Sequence, residues 1–137
     1  MSRVQLALNV ADLDAAVAFY SRMFGVGPAK TRPGYANFAI DEPPLKLVLF
    51  AGAGEPGTIN HLGVETGSTD EVAAAEERLR GAGLATTGVD DTTCCFAEKT
   101  ETWVVGPDGA RWEWYVKRGD SEQLEHVVVD GGTCCPG

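Results

Sequence analysis

The chain has 137 residues and a net charge of −9, from 20 acidic and 11 basic side chains, and 44% of its residues are hydrophobic. That size and composition suit one globular domain able to bury a core without disulfide staples. The acidic balance repels phosphate backbones and anionic headgroups, which argues against nucleic acid and membrane surfaces as partners.

Arg3 to Val10 reads as a strand rich in Val and Leu. It begins almost at the first residue, without the apolar core of a signal peptide, and no apolar run nears the roughly 18 residues of a membrane span. A cytoplasmic location is expected, where the four cysteines stay reduced and open to metals and thiophilic reagents. Asp12 can cap a helix whose apolar residues Ala16, Phe19, Tyr20 and Met23 recur at helical spacing, and Gly25 ends it. Strands are expected near Ala29–Thr31, Tyr35–Ile40 and Leu45–Phe50, separated by Pro-Gly and Pro-Pro. Ile59 to Glu65 starts the order again. Ser68 and Glu71 form a capping-box pattern before a helix that ends at Gly81. Further strands are expected near Leu84–Val89, Thr102–Val105 and Trp112–Val116, the last preceded by the turn Pro107-Asp108-Gly109.

The order βαβββ therefore occurs twice. A constant offset of 56 aligns Gln5-Leu6-Ala7-Leu8 with His61-Leu62-Gly63-Val64, Asp14 with Asp70, Arg22 with Arg78 and Gly25 with Gly81. One such unit is too small to stand alone. Two paired units, about 1–55 and 56–117, predict a single α+β domain with a curved mixed sheet around a cleft. Residues 118–137, polar and then Gly-rich, are expected to form a flexible tail carrying Cys134 and Cys135. The sequence leaves monomer and homodimer both open.

In such a pair the first and last strands of each unit line the cleft. Gln5 and His61 are repeat mates, and aligning Leu47-Val48-Leu49-Phe50 with Trp112-Glu113-Trp114-Tyr115 makes Val48 the mate of Glu113. Alone, Gln5 reads as a half-exposed strand residue, His61 as a hydrogen-bonded core residue and Glu113 as part of a solvated face. Together, at matched positions, Gln5, His61 and Glu113 read as three ligands of a divalent transition metal, and Val48 cannot ligate. Imidazole with carboxylate suits Fe(II), Mn(II), Co(II), Ni(II) or Zn(II), and three protein ligands leave positions open for catalysis.

The offset between Val48 and Glu113 is 65, so the second half carries nine extra residues, which coincide with a region holding Thr92-Thr93-Cys94-Cys95-Phe96. Adjacent cysteines lack the spacing of a structural zinc pair. Their sulfurs can converge on one soft thiophilic atom, or they can be two small buried hydrophobes. For Cys134 and Cys135, transient capture of thiophiles and a dispensable tail are both open.

At this point the chain resembles the vicinal oxygen chelate superfamily of glyoxalases, extradiol dioxygenases and antibiotic-resistance proteins. Val4 to Val10, Lys30 to Phe50 with Pro33-Gly34-Tyr35-Ala36-Asn37-Phe38, Asn60 to Glu65, and Thr92 to Phe96 are similar to one branch, the organoarsenical carbon–arsenic lyases and the cadmium-induced proteins grouped with them. The resemblance covers about residues 1–117. Gln at the first ligand position together with the Cys-Cys pair makes it specific. It implies non-haem Fe(II) as cofactor, with O2 as co-substrate, and cleavage of the C–As bond in methylarsenite and trivalent aromatic arsenicals to give arsenite. By the same resemblance, Gln5, His61 and Glu113 match the iron ligands, while Cys94 and Cys95 match the arsenic-binding pair with substrate-binding and catalytic roles. Two rivals stand beside this reading. One is a thiol-based protein that binds Cd(II) or arsenite without turnover. The other is a glyoxalase-like or dioxygenase enzyme of the same superfamily, which gives the Cys-Cys pair no purpose.

Overall fold

The computed structural model describes residues 2–94 and 97–120. Its elements are β1 (Arg3–Val10), α1 (Leu13–Phe24), β2 (Lys30–Arg32), β3 (Tyr35–Ile40), β4 (Leu45–Ala51), β5 (Ile59–Glu65), α2 (Thr69–Gly81), β6 (Asp90–Cys94), β7 (Ala97–Val105) and β8 (Arg111–Asp120). The order is βαβββ twice, as the repeat predicts. Two compact units emerge, Arg3–Leu62 and the chain from Gly63 onward with Ser2, so the division falls inside β5. Among the described residues no helix is long and apolar enough to cross a membrane.

In the first unit the strand order is β2-β3-β4-β1-β5. β1 and β4 are parallel, with Gln5 opposite Lys46, Ala7 opposite Val48 and Asn9 opposite Phe50. β2, β3 and β4 are antiparallel. Side chains alternate between the faces of a strand, so each strand supplies one residue set to each side. One side carries Phe38, Ile40, Leu47 and Leu49, packed with Leu6, Leu8 and Val10 against Leu13, Ala16, Val17, Tyr20 and Phe24 of α1. Each fully buried side chain of this kind contributes roughly 1.5–3 kcal/mol relative to exposure. Of the apolar helix residues expected to face inward, Ala16 and Tyr20 do so, whereas Phe19 and Met23 are exposed. The helix begins where the Asp12 carboxylate accepts the Ala15 N–H at 3.1 Å, and ends where Gly25, at φ 71°, donates its N–H to Ser21 O.

In the second unit the order is β5-β8-β7-β6. At the start of α2 the Ser68 hydroxyl accepts the Glu71 N–H at 3.2 Å, while the Glu71 carboxylate accepts the N–H of Gly67 rather than that of Ser68. The helix buries Val72, Ala75, Glu76 and Leu79. Arg78 lies 5.2 Å over the Trp114 ring, which places Trp114 on the helix side of β8. The expected strand at Leu84–Val89 is absent. Residues 84–89 run without a ladder, Gly88 is left-handed at φ 84°, and Thr87 alone bonds to Trp103 through its N–H and hydroxyl. The strand forms instead at Asp90–Cys94. β7 starts five residues earlier than expected, at Ala97, and β8 continues through Asp120.

Candidate functional site

The face of the first-unit sheet opposite α1 is polar and buried. Gln5, Asn9, Tyr35, Asn37, Lys46, Val48, Phe50 and His61 all have little exposure. Gln5 stands on β1 and His61 on β5, and Gln5 Nε2 lies 3.1 Å from His61 Nε2. The side chains are 3% and 2% exposed, so the pair is a shared interior feature and neither is a half-exposed strand residue. His61 Nδ1 lies 2.8 Å from Asn60 Oδ1. Phe50 tilts beside the imidazole with ring centroids 6.2 Å apart, Tyr35 meets Phe50 edge-on, and Asn37 Nδ2 donates to the Tyr35 hydroxyl at 2.8 Å. The expected non-ligand Val48 lies on this same face, opposite Ala7 and Asn37.

This geometry fits a borderline divalent cation. The imidazole has one nitrogen tied by a hydrogen bond and the other directed at an amide, the arrangement of a ligating histidine with an orienting partner. An amide offers a neutral, hard oxygen once its carbonyl end is presented. Among the described residues no group of three or more His, Cys, Asp and Glu side chains is arranged for a metal. The set expected here contains Gln5 and so is of a different composition.

Glu113 belongs to the second unit and stands on β8, fully buried at 0% exposure. Strand alternation separates it from Trp114, which meets α2, so Glu113 is not on a solvated face. Lys99 Nζ lies 3.5 Å from Glu113 Oε1 and 4.7 Å over the Tyr115 ring. Glu101, two residues along β7, accepts hydrogen bonds from the Thr92 hydroxyl at 2.5 Å and from Trp103 Nε1. Burial raises the Glu101 carboxyl to about 7, and the charge of Glu113 adds to the rise. Lys99, Thr92 and Trp103 pull the other way. One buried ammonium thus stands against two buried carboxyl groups. The expected strand starts at Thr102 and so leaves out Lys99 and Glu101. Their spacing of two along one strand is the signal that finds them.

Cys94 is the last residue of β6 and pairs with Ala97 in the β6–β7 ladder. Cys95, Cys134 and Cys135 lie outside the described residues.

Comparison with known proteins agrees with this architecture. The model of the glyoxalase/bleomycin resistance protein/dioxygenase superfamily matches residues 3–114. A trivalent organoarsenical cleaving enzyme from Thermomonospora curvata is 56% identical over 98% of this chain and 89% of its own length. The cadmium-induced protein CadI of Mycobacterium bovis is 61% identical over 100% of this chain and 95% of its own. The Mn(II)-bound glyoxalase from Novosphingobium aromaticivorans, at 22% identity, shares the fold with a TM-score of 0.59 over 90% of this chain and 43% of that one. Its βαβββ repeat, its buried Gln5–His61 pair and these full-length matches place the chain in the glyoxalase/bleomycin resistance protein/dioxygenase superfamily, within the branch of trivalent organoarsenical cleaving enzymes and cadmium-induced proteins.

Proposed function

We propose that the protein cleaves the carbon–arsenic bond of trivalent organoarsenicals, methylarsenite and trivalent aromatic arsenicals, in detoxification. In this reading Gln5, His61 and Glu113 hold Fe(II), O2 is the co-substrate, and arsenite is released. One observation carries it: a buried amide–imidazole pair at 3.1 Å, at the repeat-matched positions of a chain 56% identical to a trivalent organoarsenical cleaving enzyme. Glu113 takes its part from its alignment with Val48 in the sequence repeat and from its complete burial.

Fe(II), when bound, supplies the one-electron chemistry that use of O2 requires. The chain's own residues do the rest. Cys94 and Cys95 take the trivalent arsenic: two As–S bonds form, two As–OH bonds break, and each hydroxyl leaves as water with the proton given up by one thiol, since soft sulfur prefers a soft centre. Two As–S bonds fix the direction of the remaining As–C bond, and such positioning supplies a large part of a rate enhancement. Glu113 brings negative charge to the cation, and Lys99 beside it offsets that charge in the resting site. Phe50 and Tyr35 give the buried face an aromatic wall suited to the organic group. Methylarsenite and one O2 contain the same atoms as arsenite and formaldehyde, so the overall reaction needs no external reductant.

The test is anaerobic reconstitution with Fe(II), incubation with methylarsenite with and without air, and speciation of the arsenic. Arsenite formed only with both Fe(II) and air supports the proposal. Equal activity with Zn(II) under strict anaerobiosis refutes the oxidative route. A second reading, thiol-based binding of Cd(II) or arsenite without turnover, is favoured by the 61% identity to a cadmium-induced protein. It requires stoichiometric retention of unchanged methylarsenite in the same experiment.

A further inference from the structure

Four hydrogen bonds lead from one backbone carbonyl to the imidazole of His61, all within the first unit. Thr58 Oγ1 lies 2.6 Å from Glu55 O. A carbonyl oxygen only accepts, so the hydroxyl gives its single proton there and its oxygen is left as an acceptor. Asn9 Nδ2 donates to that oxygen at 3.0 Å. The Asn9 amide is thereby oriented, and its Oδ1 accepts from Asn60 Nδ2 at 3.0 Å. Asn60 is oriented in turn, with its Oδ1 at 2.8 Å from His61 Nδ1. An amide oxygen carries no proton, so the imidazole must have its own on Nδ1. The far end agrees, because Nε2 then bears a lone pair and the Gln5 amide N–H points at it. Reversing either asparagine amide would set donor against donor or acceptor against acceptor.

Asn9 is held independently of this chain of bonds. Its backbone N–H donates to Thr58 O, and its carbonyl accepts from the Gly57 N–H, both at 2.9 Å. Gly54 leaves room for the amide, since a Cβ at that position would fall 2.7 Å from Asn9 Nδ2. A neutral histidine left to itself prefers the proton on Nε2, so the arrangement these hydrogen bonds imply needs a cause.

We infer that Asn9, acting through Asn60, fixes His61 in the Nδ1–H tautomer and so makes Nε2 the basic nitrogen. Asn9 is then a positioning residue for the cation that Gln5 and His61 hold. The tautomer stands on the hydrogen bonds alone, and its use for a metal rests on the function proposed above. The proton on Nε2 would block coordination there, and partners that orient a ligating histidine are worth about 10–100-fold in metal affinity.

The chain contains two histidines, His61 and His126. In a His126→Gln background, the imidazole nitrogen resonances of metal-free protein report His61 alone, under conditions where the ring is neutral. The reference protein should show the Nδ1–H pattern. Asn9→Leu, which does not touch the imidazole, should shift the ring toward Nε2–H and weaken Co(II) and anaerobic Fe(II) binding by about 10-fold or more. Asn9→Asp keeps the oxygen that accepts from Asn60 Nδ2, and the Thr58 hydroxyl can turn to donate to the second carboxylate oxygen, so it should retain the reference tautomer. Thr58→Val, at an exposed position, should move the ring in the same direction as Asn9→Leu without risk to the core. An unchanged Nδ1–H pattern in folded Asn9→Leu and Thr58→Val protein overturns the inference. A shifted tautomer with unchanged metal affinity upholds the relay and instead removes His61 from the metal site, which separates the two claims.

Discussion

The buried pair Lys99–Glu113 makes substitutions at the proposed metal site act in two ways. Removing one member of a buried ion pair costs about 3–5 kcal/mol, because the other is left charged in a poor medium. Glu113→Ala should therefore lower stability by about that amount and also abolish Fe(II) binding and turnover. Adding Lys99→Met should recover much of the stability, read by urea denaturation, while metal content and activity stay lost. His61→Ala should abolish both activity and metal binding with a smaller stability change, and Gln5→Ala should weaken them less, since an amide is a weak ligand. Normal metal content and turnover in all three single variants would remove the metal assignment. Glu101 has a different signature. Its carboxyl is raised from 4.5 to about 7, so the folded state holds this proton more tightly than the unfolded chain does. Its contribution to stability is full below about 4.5 and is lost as pH rises through about 7. Metal-free protein should become less stable across that window, and Glu101→Gln should flatten the slope. Urea midpoints on either side of the window check this, and an unchanged slope in the variant would assign the dependence elsewhere.

Among the elements, those that punctuate themselves were legible in the sequence. Asp12 and Gly25 bound α1, Ser68 and Glu71 start α2, and β1, β3 and β5 begin and end where the apolar alternation does. Caps act locally, so their chemistry can be read without knowing the neighbours. Asp12→Ala should cost about 1 kcal/mol of stability, again read by urea denaturation, with turnover unchanged. A neutral Asp12→Ala would mean that α1 is held by its packing on Leu47, Leu49 and Phe38 alone. β6 and the first half of β7 were not legible. Asp90, Asp91, Glu98, Lys99 and Glu101 make poor strand formers by propensity, and a run of Leu, Ala, Thr and Val at 84–89 reads better. The ladder nevertheless forms at Asp90–Cys94, where Thr92 and Asp91 meet Glu101 and Thr100 through side-chain hydrogen bonds. Partners across a strand decided the matter, and a one-dimensional propensity does not contain them.

At the scale of the molecule, each βαβββ unit turns one sheet face to its helix and keeps polar groups on the other. Residues 121–137 lie outside the described residues. β8 continues to Asp120, where Gly119 and Asp120 pair with Glu98 and Ala97, so the useful truncation point is after Asp120 rather than after Lys117. Removal of residues 121–137, or the double change Cys134→Ala/Cys135→Ala, should leave most C–As cleavage by purified protein at saturating substrate. Cys94→Ala or Cys95→Ala should remove it, since one remaining thiolate does not fix the direction of the As–C bond. Equal loss in both sets, measured as arsenite release, would bring the tail thiols into the site.

The sequence by itself determined the repeat, the α+β class, the placing of Gln5 with His61 and the family, because each depends on residue types at fixed separations along the chain. The offset of 56 that aligns Gln5 with His61 is the same separation at which their side chains meet. Tertiary structure alone decided what surrounds them. The Asn9–Asn60 relay joins side chains 51 positions apart, and the Thr92–Glu101 bond joins partners on neighbouring strands. Tautomer and protonation state depend on which donors and acceptors are brought within about 3 Å in a buried, weakly screened interior. No local pattern of residue types encodes that distance.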